Sequence, residues 1–455
     1  MDNNVLQQLV QMKDRHVADL QEFIRHPSVA AQDRGVEECA EWLIQFMIRL
    51  GITPTVVREG NYPVIMAEIP GETDRSLLLY AHYDVQPADE PEWQTDPFSP
   101  EIIDGRMYGR GTVDNKGPLM AILEAIRSYL ESGHKPPVTV KLLFEGEEEV
   151  GSSSLLPVVR AQRDFLQCDG LANFDDSVWT DGRPRVVGGI KGICMLRLTA
   201  RSKREFHAMM APLIRNPLWR LIEALNLMVD PSGRIRIPGF YDDVRPASEV
   251  DLEALHALNW TGEQLLAESG QAEFLGGRSS AEALRFWLLE PNCHLQGIRG
   301  GYLPPNRKGV IPTEAVAELR IGTVPNQTSE GVLGRVQEFL RAEGYNDIEV
   351  EMFTSNPWAR APLEGTLVQA MVRSLDAAFS RGVALQPSYG GSGPEGAFQE
   401  LFPKMEQAYS GFGPPEDVIH APNEYIVVED YLAGIETVAR LLWEYAQHKT
   451  STSNA

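Results

Sequence analysis

The chain has 455 residues, 43% hydrophobic and 23% charged, a globular composition that excludes long disorder. One hydrophobic core rarely grows beyond about 250 to 300 residues, so two domains are expected. A net charge of −23, from 41 basic against 64 acidic residues, argues against nucleic-acid or membrane partners, which its field repels, and favours retention of metal cations.

Residues 3–26 and 36–50 carry apolar positions at helical spacing, as in Val36, Cys39, Ala40, Leu43, Ile44 and Met47, and Gly51 closes the second helix. Residues 53–57, 64–69 and 77–81 read as strands, 118–130 as a helix, 138–144 as a buried strand, 153–163 as a helix and 170–174 as a strand. This alternation predicts an α/β fold with a mixed, mostly parallel sheet covered by helices and functional residues at strand ends. Further on, 193–200 and 315–321 look like strands, 213–228 and 329–342 like helices, and 348–353 like a last strand, with polar loops between them. Residues 449–455 read as a frayed polar tail.

The first residues lack a basic segment followed by an apolar one, and no run reaches the roughly 18 apolar residues of a spanning helix. A cytoplasmic location is therefore the default expectation. The four cysteines are far apart and form no Cys-x-x-Cys pair, which points to reduced thiols.

Five potential metal ligands lie in short polar motifs, most of them after apolar runs. They are His82 in Leu77-Leu-Leu-Tyr-Ala-His-Tyr-Asp84, Asp114 in Gly109-Arg-Gly-Thr-Val-Asp-Asn-Lys-Gly117, Glu149 in Phe144-Glu-Gly-Glu-Glu-Glu-Val-Gly151, Asp176 in Asn173-Phe-Asp-Asp-Ser-Val-Trp179, and His420 in Ile419-His-Ala-Pro-Asn-Glu424. Two imidazoles and three carboxylates suit a pair of divalent ions of the zinc type. Taken singly, each has a bland reading: a histidine packed after a strand, an aspartate capping a helix, an acidic run facing solvent. Asp84 lies two residues beyond His82, on the same side of a strand, and suits orienting the imidazole through its other ring nitrogen. Because His420 follows the middle segment, the catalytic domain must be discontinuous, with an insertion at roughly 192–355.

The order and spacing of these motifs resemble the co-catalytic zinc peptidases that include carnosinase, carboxypeptidase G, succinyl-diaminopimelate desuccinylase and aminoacylase, nearest the carnosinase-like dipeptidase branch. The resemblance runs from about residue 15 to residue 445. It implies two divalent ions per subunit, zinc with manganese or cobalt as alternatives, held by His82 and Asp176 on one side and Glu149 and His420 on the other. Asp114 would bridge them, with a cis peptide bond to Asn115. Matching Glu-Glu-x-Gly-Ser to Glu148-Glu149-Val150-Gly151-Ser152 makes Glu148 the general base, and matching Asp-x-x-Trp to Asp176-Ser-Val-Trp179 selects Asp176 over Asp175.

The same resemblance makes residues 1–191 and 356–455 the catalytic domain and 192–355 a smaller α/β lid and dimerisation domain of a homodimer. His207, in Glu205-Phe-His-Ala-Met-Met210, would polarise the scissile carbonyl in the partner's site, and Gly391 and Ser392, in Gly390-Gly-Ser-Gly393, would line the substrate pocket. His16, His26, His134, His256, His294 and His448 belong to no matching motif and read as structural or solvated. The implied activity is hydrolysis of the amide bond of a small dipeptide-like or N-acyl amino acid substrate by a metal-activated water.

Two departures bear on substrate. Carnosinase-like members usually carry a carboxylate-anchoring arginine and threonine where this chain has Gly322 and Gly309, and Arg307, Lys308 and Arg320 are the neighbouring cations. This leaves open a deacylase or amidase of a metabolite without a free C-terminal carboxylate. A non-catalytic binding protein on the same fold would be marked by a missing base or ligand.

Overall fold

The computed structural model describes residues 1–303, 305–415 and 418–447, so the expectations for His448 and the tail at 449–455 lie outside the described residues. The chain divides into two compact units. The first comprises Met1–Gly189, Ala361–Gln386 and the chain from Phe398 onward, and the second comprises Ile190–Arg360 and Pro387–Ala397. Against the segments 1–191, 192–355 and 356–455, the boundaries move by a few residues, and 387–397 joins the second unit. Backbone pairing is the reason: Ile190 bridges Tyr389, and Lys191 N–H donates to Gly391 O at 3.1 Å.

The first unit is built on an eight-stranded sheet in the order Thr55–Val57, Val64–Ile69, Thr139–Glu145, Ser76–His82, Gly170–Asn173, Glu406–Tyr409, Arg185–Val187, Ala384–Gln386. The central strands Thr139–Glu145, Ser76–His82, Gly170–Asn173 and Glu406–Tyr409 run parallel, and antiparallel partners flank them. Their side chains are buried on both faces, as Leu77 to Ala81 and Val140 to Phe144 suggest from their apolar runs. Helix Lys116–Glu131 is buried almost throughout, and Val428–Ala446 packs against both it and Thr366–Phe379. Tyr129 ties two of these helices by donating to Ala439 O at 2.8 Å. The helix expected over 3–26 is two, Asn3–Gln11 and Lys13–Ile24, broken at Met12. Parallel strands put their C-terminal ends on one edge of the sheet, where a crevice for chemistry forms.

The second unit has a four-stranded antiparallel sheet in the order Asn292–Gly300, Glu314–Thr323, Gly192–Arg201, Ile348–Asn356. Leu196, Leu198, Ala317, Leu319 and Ile321 pack from it onto helices Pro217–Met228 and Ser329–Ala342 through Leu221, Ala224, Val332 and Val336. The stretch read as polar loops also contains helices Glu249–Ala257, Glu263–Ser269 and Ser280–Leu289. Two of these start with capping boxes, Ser248 with Asp251 and Ser279 with Glu282, a signal present in the sequence. All four cysteines are free, and among the described residues no helix is long and apolar enough to cross a membrane.

Candidate metal centre

Each chemical side chain of the first unit sits just past the C-terminal end of a parallel strand or in a loop tied to one. His82 ends Ser76–His82, Glu148 and Glu149 form the short 3₁₀ turn after Thr139–Glu145, and Asp175 follows Gly170–Asn173. Asp114 lies two residues before the helix that starts at Lys116, and the Asp114–Asn115 bond is cis. His420 lies in a loop at φ +61, a left-handed conformation that costs a non-glycine residue free energy and is held by its surroundings.

These side chains converge. His82 Nε2 lies 3.0 Å from Asp114 Oδ1 and 3.3 Å from Asp175 Oδ2. His420 Nε2 lies 2.9 Å from Asp114 Oδ2 and 3.0 Å from Glu149 Oε2. Two groups of three donors result, His82 with Asp114 and Asp175, and Asp114 with Glu149 and His420. Ligands at about 2.1 Å around a tetrahedral zinc sit roughly 3.4 Å apart, so donors 2.9–3.3 Å from one another fit a shared ion with little movement. His82 Nε2 is fully buried and makes no well-angled hydrogen bond, as expected of an atom aimed at a cation rather than at a proton acceptor.

The register after Gly170–Asn173 differs by one residue from the expected one. Asp176 turns away and pairs with the Arg185 guanidinium, while its Oδ1 also accepts from Ser177 N–H at 2.9 Å. Asp175 takes the inward position, its other oxygen accepting from Asn115 Nδ2 at 2.7 Å. The Asp-x-x-Trp match is misleading because Trp179 lies on the Arg185 side, its ring 5.6 Å from that guanidinium. Asp175→Asn is expected to lose one ion per chain and most activity. Asp176→Asn is expected to keep both ions and, by removing the carboxylate that pairs with the largely buried Arg185 guanidinium, to cost about 3 kcal/mol of stability. Metal analysis and thermal melts of the two variants check this, and the opposite pattern would restore Asp176 as the ligand.

Other residues hold the donors in place. Asp84 Oδ1 lies 3.4 Å from His82 Nδ1, and its carboxylate accepts the backbone N–H of Glu148 at 3.2 Å and of Glu149 at 3.0 Å, so one group orients a ligand and pins the base turn. Gln86 donates through Nε2 to Glu149 Oε2 at 2.8 Å and through N–H to Oε1 at 3.1 Å. Fully buried Glu424 accepts from Arg110 Nη1 at 2.8 Å and from the N–H groups of Gly111, Val113 and Asp114 at 3.1, 2.8 and 3.2 Å. The sequence reading missed Gln86 and Glu424 in these roles; Glu424 had a signal in its place four residues after His420.

Burial shapes the electrostatics. It opposes protonation of His82, yet Asp175, Asp114 and Asp84 outweigh it and hold the ring well above the usual imidazole range. Hydrogen bonds to Asp114 and Glu149 push His420 up to about 10. Burial would raise Asp114, but His420 and His82 hold it below the usual carboxylate range. Glu148, Glu149 and Asp175 are all pushed up, first by burial. Such a cluster of acids and imidazoles, from buried His82 and Asp114 to exposed His420, is complementary to cations.

The remaining expected site residues belong to the second unit. His207 is exposed, pairs its strand with Val310–Ile311, and accepts Met209 N–H on Nδ1 at 3.2 Å. Gly309 O accepts Ala208 N–H at 2.9 Å, which sets position 309 beside His207. Gly391 O accepts from Lys191 N–H, and Ser392 Oγ is buried with no hydrogen-bond partner among the described residues.

A helix-covered α/β unit whose parallel strands end in a cluster of imidazoles and carboxylates, reaching from buried His82 to exposed His420, defines a metal-dependent hydrolase. Residues 78–444 match peptidase family M20/M25/M40, and the chain belongs to that family. It is 29% identical over 400 residues to the Beta-Ala-His dipeptidase of Rattus norvegicus, covering 85% of this chain and 80% of the relative. It is 27% identical over 470 residues to the Cys-Gly metallodipeptidase DUG1 of Candida albicans, covering 96% of each. Among solved structures, the M20 family metallo-carboxypeptidase Sso-CP2 from Sulfolobus solfataricus matches with a TM-score of 0.87 at 32% identity, over 95% of this chain and 99% of that one. Human carnosine dipeptidase 1 matches with a TM-score of 0.76 at 26% identity, over 98% of both chains.

Proposed function

We propose that the chain is a dinuclear metallopeptidase of the dipeptidase type, hydrolysing the amide bond of a dipeptide or N-acyl amino acid. The observation that carries this reading is the Asp114 carboxylate, with one oxygen 3.0 Å from His82 and the other 2.9 Å from His420, the disposition of a bridge between two ions. His82 and Asp175 would hold one ion and Glu149 and His420 the other. The relatives named as Beta-Ala-His and Cys-Gly dipeptidases support the substrate class. Zinc suits this donor set first, with manganese and cobalt as alternatives.

When bound, the two ions supply Lewis-acid polarisation of the scissile carbonyl and acidify a water towards neutral pH. Glu148 would accept a proton from the attacking water on its carboxylate and hand it to the leaving amine. Burial raises its proton affinity above that of a solvated carboxylate, the direction a base working near neutral pH needs. Asp84 keeps base and ligand in register through the two N–H groups it accepts. Metal content per chain, measured beside turnover on a panel of dipeptides and N-acyl amino acids, tests the reading. Full metal occupancy with no hydrolysis anywhere on the panel would overturn it.

The working unit in this reading is a homodimer in which His207 polarises the scissile carbonyl of the partner's substrate. Exposed His207, on a short strand in the second unit, supports a role away from its own core. Loss of one such donor costs about 3 to 4 kcal/mol in the transition state. Mixing inactive His207→Ala with inactive Glu148→Ala protomers is expected to restore part of the activity, since one site of each heterodimer regains both groups. No recovery after confirmed subunit exchange would count against action across the dimer.

A further inference from the structure

The two candidate ion sites are built from unlike backbone. His82 ends the strand Ser76–His82, and Asp175 lies two residues past Gly170–Asn173, which pairs with that strand in parallel register. The sheet itself therefore sets the spacing of these two donors. Glu149 belongs to a short 3₁₀ turn and His420 to a loop, at φ +61 with its side chain 52% exposed. No strand pairing among the described residues joins these two segments.

What joins them is the stretch after His82. Residues 83–100 form neither helix nor strand, and they bond to one segment through Gln86 and to the other through Glu92 and Gln94. Gln86 holds Glu149 three times: its N–H donates to Oε1 at 3.1 Å, and its Nε2 donates to Oε2 at 2.8 Å and to the backbone carbonyl at 3.3 Å. Asn423, three residues after His420, makes two bonds in return: its Oδ1 accepts from Gln94 N–H at 2.7 Å, and its Nδ2 donates to Glu92 O at 2.9 Å. Asn423 is at φ +63, so the turn that carries His420 has two non-glycine residues in the left-handed region, a conformation that surrounding contacts must hold. Arg110 braces the stretch between these points. It is 1% exposed, donates from Nη2 to Pro87 O at 3.1 Å and from Nη1 to Glu424 Oε2 at 2.8 Å, and lies 5.3 Å from the Trp93 ring centre.

A carboxylate with a donor on each oxygen has little freedom to rotate, and a loop tied through both ends of one amide has little freedom to drift. Both restraints fall on donors of the same ion, the one that Glu149 and His420 would hold. Donors fixed before an ion arrives leave less ordering entropy for binding to overcome. We infer that residues 86–94 form a strap that sets the affinity of the Glu149–His420 ion, with Gln86 and Asn423 as its positioning residues, while the His82–Asp175 ion is held independently of it. The strap presupposes the pair of ions proposed above, and Gln86 and Asn423 serve one of them rather than the fold at large.

Zinc titration of the chelated full-length protein, by calorimetry against a competing chelator, reads each site by itself once the other is disabled. In Asp175→Asn the Glu149–His420 ion remains, and in His420→Ala the His82–Asp175 ion remains. Adding Gln86→Ala or Asn423→Ala to the first background is expected to weaken zinc about 10- to 100-fold, and adding either to the second to leave it within about 2-fold. In the otherwise wild-type chain, Gln86→Ala is expected to keep one tight zinc and to lose the second at limiting metal. The melting temperature of metal-free Gln86→Ala should fall by no more than about 3 °C, a readout that a purely structural role would move further. If Asn423→Ala fails to fold, Gln86→Ala decides the matter. Equal weakening in both backgrounds, weakening in neither, or weakening confined to His420→Ala overturns the strap and leaves the two-ion reading standing. Wild-type protein that takes up only one zinc refutes the two-ion reading, and the strap with it.

Discussion

Glu148→Ala is expected to keep its full metal content and to lose about two to four orders of magnitude in kcat, the usual contribution of a positioned general base. The reason lies in how the turn is held. Glu148 belongs to neither donor group, and its backbone N–H, which the substitution keeps, is what Asp84 binds at 3.2 Å. The turn is further fixed by Glu147, whose carboxylate accepts from Ser153 Oγ and Ser154 N–H, both at 3.1 Å, so the proposed ligand Glu149 keeps its place. Because the loss is of an interaction made only in the transition state, KM should change little. Steady-state kinetics with metal analysis on the same sample checks it, and near-normal turnover would remove Glu148 from the mechanism.

Stripping the metals is expected to abolish hydrolysis, destabilise the first unit and make reloading a proton-releasing event. At a free metal concentration a thousand times its Kd, one bound ion stabilises the fold by about 4 kcal/mol, so the melting temperature should fall on chelation. In the metal-free protein His420 is raised to about 10, so the stability contributed by its protonated form is complete below the unfolded value of about 6.5 and is lost as pH rises through 10. At pH 7 this imidazole therefore carries a proton that a cation must displace, as must any proton on Glu149 and Asp175, whose affinities burial raises. Titrating zinc into chelated protein in two buffers of different ionisation enthalpy reads this directly. Heats that do not depend on buffer would contradict the protonation pattern.

What could be read from the sequence was whatever has a short-range signature. The apolar runs gave the buried strands because parallel sheets covered on both faces need uninterrupted Leu, Val and Ile, as in Leu77-Leu-Leu79. His82, Asp114, Glu149 and His420 stood out because polar residues at the ends of such runs have little structural reason to be there. Asp175 was lost by one position, since choosing between adjacent carboxylates depends on Asn115 and Arg185, which lie 60 and 9 residues away in the chain. The edge strand Asn292–Gly300 escaped because most of its side chains are exposed and its register is broken near Gly297, so neither alternation nor apolar content marks it. Lys191 looked like any lysine before a strand. Its burial against the carbonyls of Trp287 and Glu290 depends on residues about 100 positions away, and no local pattern encodes that.

Glu424 has a consequence for the order in which the molecule can become active. Its carboxylate gathers Arg110, Gly111, Val113 and Asp114 across more than 300 positions of sequence, with separations of 314 to 310 residues. Contacts of such range pay their loop-closure entropy late and reward it last. During synthesis the loop that presents Asp114, the proposed bridge, therefore stays untied until residue 424 has emerged, and His420 emerges only four positions earlier. Assembly of the candidate metal centre is thus coupled to synthesis of the C-terminal segment: a partly made chain that stops short of His420 already carries Glu148 and four of the five candidate donors, but neither His420 nor the carboxylate that ties Asp114 in place.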